Sequence, residues 1–90
     1  MKIHSIYDNG GETFDRFTVF YKGRGTLDHR PQGTFRFFVG MSENPFHPQG
    51  YGQHGYGMPG KHNGKRIKFE DLPEQCQKLV LQDLTANCLA

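Results

Sequence analysis

The side chains best suited to chemistry in this 90-residue chain crowd into one stretch, from Pro45 to Lys65. It carries His47, His54 and His62, the amides of Gln49 and Gln53, the phenols of Tyr51 and Tyr56, and the ammonium groups of Lys61 and Lys65. Imidazole, amide and phenol groups supply hydrogen-bond donors, acceptors and stacking area. The glycines among them, Gly50 included, let a backbone approach a ligand closely and present its N–H groups. These are the ingredients of a recognition loop. Its candidate binding residues are His47, Gln49, Gly50, Tyr51, Gln53, His54, Tyr56, Lys61 and Lys65.

Three kinds of chemistry could draw on that composition. A metal site would draw on the three histidines, with Cys76 or a carboxylate beside them. Their spacing, His-x6-His-x7-His, differs from the short paired spacings of zinc sites, so no metal and no other cofactor is expected. A hydrolase or nuclease needs an oriented acid or base beside a nucleophile or activated water. His47 or His54 supplies a base, and Asp15, Arg16 and Glu43 supply helpers, but no motif ties them together; the chain reads as a binder rather than an enzyme. Gly60-Lys61 and Gly64-Lys65 lack both the spacing of a phosphate-binding loop and its Ser or Thr. They remain a loose anion-binding patch.

The elements that must position these residues fit in a single domain spanning 1–90, because so short a chain builds one core. Only 34% of its residues are hydrophobic and 12 are glycine, so eight Phe and four Tyr must fill much of that core. Stability is expected to be modest, with a partner or self-association to supplement it. A net charge of +2 is weak for a duplex-DNA binder. The N-terminus has no signal-peptide pattern and no stretch is apolar enough to span a membrane, so the expected location is the cytoplasm. Cys76 and Cys88 form no disulfide if both lie on one helix, where 12 residues of rise separate them by about 18 Å.

Residues 1–41 read as a β-meander. Lys2 to Tyr7 is a first strand, and Asp8-Asn9-Gly10-Gly11 is a strong turn signal. Arg16 to Tyr21 alternates, with Phe17, Val19 and Tyr21 on one face. Lys22 to Gly33 reads as a polar connection. Thr34 to Met41 is the clearest strand, with Phe35, Phe37, Val39 and Met41 inward. Arg16, Phe20, Arg36 and Phe38 fall on the opposite face, a candidate stacking platform for single-stranded nucleic acid. The 23 residues 42–64 hold six Gly, three Pro, three His and two Tyr, and no Val, Leu or Ile. That is too poor in aliphatics for a strand or helix with a core face, so a long, ordered loop is expected. In 65–90, Arg66 to Phe69 is a short strand. Asp71-Leu72-Pro73-Glu74 signals a helix with Asp71 as N-cap. Leu72, Cys76, Leu79, Val80 and Leu84 form its buried stripe, with Leu81 pointing away. The expected fold is α+β: an antiparallel sheet of three to four strands, a Gly/His-rich loop and a C-terminal helix on the sheet.

The chain also resembles a family of small uncharacterised bacteriophage proteins. The likeness rests on Asp8-Asn9-Gly10-Gly11 with Thr13 and Asp15-Arg16, then Gly40-Met41-Ser42-Glu43, Pro45-Phe46-His47-Pro48-Gln49-Gly50 and Gly52-Gln53-His54. It continues through Gly60-Lys61, Gly64-Lys65 and Asp71-Leu72-Pro73 with Cys76-Gln77. The family carries no established activity. The resemblance implies a phage or prophage accessory protein in a bacterial cytoplasm, and such proteins often act by binding a host factor. Inhibition of a host-defence macromolecule is the leading expectation. Sequestration of a small anionic, nucleotide-like ligand comes second and single-stranded nucleic acid third.

Overall fold

Alternating apolar residues build the sheet. The computed structural model describes residues 2–22, 26–30 and 33–86, with the backbone alone for 26–30 and 33–35. It has an α+β fold, one antiparallel sheet with a C-terminal helix against one face. The strands are β1 (Lys2–Asp8), β2 (Phe17–Lys22), β3 (Thr26–Arg30), β4 (Gly33–Met41), β5 (Gly52–Gly57) and the two-residue β6 (Lys65–Arg66); the helix α1 is Glu74–Ala86. Where three to four strands were expected, the described chain has five of five residues or more, plus β6.

The strands pair in the order β6–β1–β2–β4–β5, and β3 also pairs with the start of β4. Arg36 is flanked by Thr26 on one side and Gly57 on the other, so β3 continues along the β2 edge of β4. Directly opposed residues share a face. Ile6, Val19, Val39 and His54 therefore form one row. That face holds the core: Phe17, Val19, Tyr21, Phe37, Val39 and Met41 meet Leu72, Cys76 and Val80, and Ile67, Phe69, Leu79 and Leu84 pack around the rim. The side chain of Phe35 and the whole of Cys88 lie outside what the structure describes.

Two stretches read as connections contain strands. The polar segment 22–33 contains β3, and the glycine-rich segment 42–64 contains β5. β5 lacks aliphatics but leans on aromatic residues of β4. The His54 ring lies parallel to Phe37 at 5.3 Å and the Tyr56 ring 5.5 Å from it. On the other face the Phe38 ring covers the glycines, and a Cβ built on Gly55 or Gly57 would sit 3.3 Å or 3.0 Å from it. Aromatic rings laid over edge glycines supply the packing that side chains on those glycines would otherwise give.

The helix starts later than its sequence signals suggest. Asp71 closes a short 3-10 turn, Phe69–Asp71, and its Oδ2 accepts the Lys68 N–H at 3.1 Å. Leu72 is extended at ψ 146° because the ring of Pro73 disfavours helical backbone before it. Regular helix therefore begins at Glu74, and Gln77 N donates to Pro73 O at 3.0 Å. Leu72, Cys76 and Val80 are buried and Leu81 is 52% exposed. Among the described residues no helix is long and apolar enough to cross a membrane.

Candidate recognition surface

The segment from Ser42 to Tyr51 is held at its neck and at its tip. Ser42 N donates to Tyr51 O and Tyr51 N donates to Ser42 Oγ, both at 2.9 Å. At the tip, His47 N donates to Asn44 O at 3.2 Å and Gly50 N to His47 O at 2.7 Å. Gln49 N donates to His47 Nδ1 at 3.1 Å, so this imidazole is spent on its own turn. A Cβ on Gly50 would fall 1.9 Å from Asn44 O, so the turn needs glycine there. The Cys76 thiol donates to Ser42 O at 3.1 Å and ties the segment to α1. Burial, then the Glu43 carboxylate, pushes that thiol up to about 11, so Cys76 is a buried structural donor and not a nucleophile.

The preceding turn leans against the same segment. Asp8 Oδ1 accepts Gly10 N at 2.8 Å and Asn9 Oδ1 accepts Gly11 N at 2.9 Å, while Gly10 and Gly11 take φ of 76° and 91°. Arg16 holds both ends: its Nε and Nη2 donate to Asp8 at 2.7 and 3.0 Å, and its Nη1 donates to Glu43. The Arg16 guanidinium holds the Asp8 carboxyl below the usual carboxylate range. Phe14 then meets Tyr51 edge-on at 6.2 Å.

β5 is fastened to the helix by a buried carboxylate. Tyr21 donates its hydroxyl to Asp83 Oδ2 at 2.7 Å, and His54 Nε2 lies 2.9 Å from both Asp83 oxygens. Burial, with Asp83 beside it, raises the Tyr21 phenol well above its ordinary value. The sequence reading missed Asp83. Its position, seven residues after Cys76 and three after Val80, puts a charged residue on the apolar stripe. A charge there signals a buried polar partner.

Of the candidate binding residues, the structure gathers Tyr51, Gln53, His54 and Tyr56 around one recess, and His47, Gln49 and Gly50 beside Phe14 around the next. Lys61 and Lys65 are elsewhere. Lys61 lies in a 3-10 turn and Lys65 in β6, and β6 is separated from β5 by β1, β2 and β4, about 19 Å at ordinary strand spacing. Lys65 therefore lies apart from the loop, and Lys61 lines neither recess. The stacking platform is also reduced. Phe20 is 1% exposed, inserted between Tyr7 and Phe38, and Arg16 is engaged with carboxylates. His47, His54 and His62 occupy three separate settings, and among the described residues no group of three or more His, Cys, Asp or Glu is placed to hold a metal ion. Compared with family models, with curated proteins and with solved structures, the chain matches none.

Proposed function

We propose that this is a phage accessory protein that acts by binding, and that the 42–51 turn with β5 contacts a host macromolecule, a defence factor, and inhibits or modulates it. The observation that carries this reading is where the exposed aromatics lie. Of the four exposed large hydrophobic residues among those whose side chains are described, Phe14 (64%), Phe46 (46%) and Tyr56 (38%) adjoin this surface, and Leu81 (52%) does not. Aromatic rings offer large contact area at low entropic cost, and neighbouring amides supply adaptable hydrogen bonds. A turn already fastened by its own backbone loses little freedom on association. The outer edge of β5 carries no partner strand among the described residues, which leaves main-chain groups available as well. His54, the best-placed base, is occupied in fastening β5 to α1, so the surface serves contact better than catalysis. The phage context comes from the sequence resemblance.

The test is capture from bacterial host cells with the tagged protein, compared with a Phe14→Ala, Gln49→Ala, Tyr51→Ala variant. The variant should lose a stoichiometric partner that the wild type retains, while its melting temperature stays within a few degrees. Equal capture by both proteins contradicts the proposal.

A further inference from the structure

The recess beside β5 has a chemical character that the lysines and glycines of the sequence do not suggest. It encloses about 220 Å³ and is lined by Asp15, Phe38, Gly40, Tyr51, Gln53 and Gly55, with the strand residues His54 and Tyr56 at its margin. Gly40 and Gly55 form its floor. A Cβ on Gly40 would meet Asp15 Oδ2 at 3.3 Å and Phe38 Cε1 at 3.8 Å, so the carboxylate and the ring converge over one glycine. Asp15 is half-buried, its Oδ1 accepts the Thr13 hydroxyl at 2.6 Å, and it forms no ion pair among the described residues. Tyr51 donates its hydroxyl to Gln53 Oε1, which joins the two polar walls.

We propose that this recess is a binding site for an organic cation, of the guanidinium type. A carboxylate without an internal counter-ion attracts a cation in a partly desolvated setting more strongly than in bulk water. A phenyl ring beside it stabilises the same charge through its electron-rich face. A guanidinium suits the pair better than an ammonium, because its flat, weakly hydrated plane stacks on the ring while its edge donates to the carboxylate. Because Gly40 and Gly55 have no side chains, the carboxylate and the ring can draw close to the sheet and to each other. The cation is either a free small molecule or an arginine side chain of a bound macromolecule. Only the second source rests on the proposed binding function.

Amide chemical shifts of 15N-labelled protein, followed at constant ionic strength, test the site. The probes are ethylguanidinium chloride, an end-blocked Gly-Arg-Gly peptide and sodium acetate. Ethylguanidinium and the peptide should shift the Gly40 and Gly55 amides saturably, and acetate should not. Tighter binding of the peptide assigns the cation to an arginine side chain, and tighter binding of ethylguanidinium assigns it to a small molecule. Asp15→Asn keeps the shape and removes the charge, and should weaken the response about tenfold. Gly40→Ala places a methyl group against Asp15 Oδ2 and the Phe38 ring, narrowing the recess without removing the charge, and serves the same purpose if the first variant folds poorly. No saturable response to either cation, an equal response to acetate, or an undiminished response in both variants overturns the proposal. None of those results alters partner capture through Phe14 and Tyr51, so the two readings fail separately.

Discussion

Asp83 sits where the helical stripe would otherwise carry an aliphatic residue, and Tyr21 and His54 compensate its burial. Tyr21 donates to it from β2 and His54 from β5, so one carboxylate joins the helix to a central strand and an edge strand. Replacing Asp83 with alanine leaves the buried Tyr21 hydroxyl without its acceptor. An unsatisfied buried group costs about 1–3 kcal/mol, so thermal denaturation of Asp83→Ala should show a clear loss of stability. Asp83→Asn keeps an acceptor oxygen and should lose less. A melting curve for Asp83→Ala that superposes on wild type would show that the bond to Tyr21 carries no net stability. His4 gives a second residue-scale prediction. Burial, then Arg36, Arg66 and Lys22, lowers its pKa from the ordinary 6.5. A histidine whose folded pKa is depressed takes up its proton more readily in the unfolded chain. Stability should therefore be indifferent to His4 above pH 6.5 and fall as pH drops below it. His4→Gln should flatten that acid limb. The Asp8 contribution has a separate window: its depressed carboxyl stabilises above the ordinary 3.8 and is lost only as pH falls below that value.

Elements differed in how openly the sequence declared them. β2 and β4 were legible because their apolar residues alternate, and α1 because its stripe repeats at helical spacing. The start of α1 was displaced by Pro73, whose steric demand on Leu72 outweighed the capping signal at Asp71. β5 was illegible because its packing is borrowed: Phe37 and Phe38, residues of another strand, cover His54, Tyr56 and the glycines. β3 was illegible because four of its five residues are polar and its strand character comes from pairing with the start of β4. The recognition residues of 45–57 were visible as a composition; of the residues that complete the two recesses, Asp15 read only as a helper to a catalytic base, and Phe14 belongs to no pattern that would single it out. A methyl group at Gly57 would press on the Phe38 ring at 3.0 Å. Overpacking of this kind costs about 1–3 kcal/mol. Gly57→Ala should therefore speed hydrogen exchange of the β5 amides more than that of β1. Unchanged protection in β5 would mean that the Phe38 contact is not what holds the strand.

At the scale of the molecule, the two edges of the sheet are built differently. The β6 edge is two residues long and carries Lys65 and Arg66, the kind of charged, short edge that resists strand addition. The β5 edge is six residues long and has no Lys, Arg, Asp, Glu or Pro. The fastened 42–51 turn, the Phe14 turn and the cation recess all adjoin that second edge, and α1 covers the core face. Exposed aromatics, open main chain and a carboxylate with no ion pair among the described residues thus gather along the β5 edge. The most direct test is a photo-crosslinking scan in bacterial host cells, with a reactive phenylalanine analogue placed in turn at Phe14, Tyr51, Tyr56, Lys78 and Leu81. The account predicts one discrete heteromeric adduct from the first three positions and none from the two on α1. An adduct formed from Lys78 or Leu81 but not from Phe14, Tyr51 or Tyr56 would contradict it.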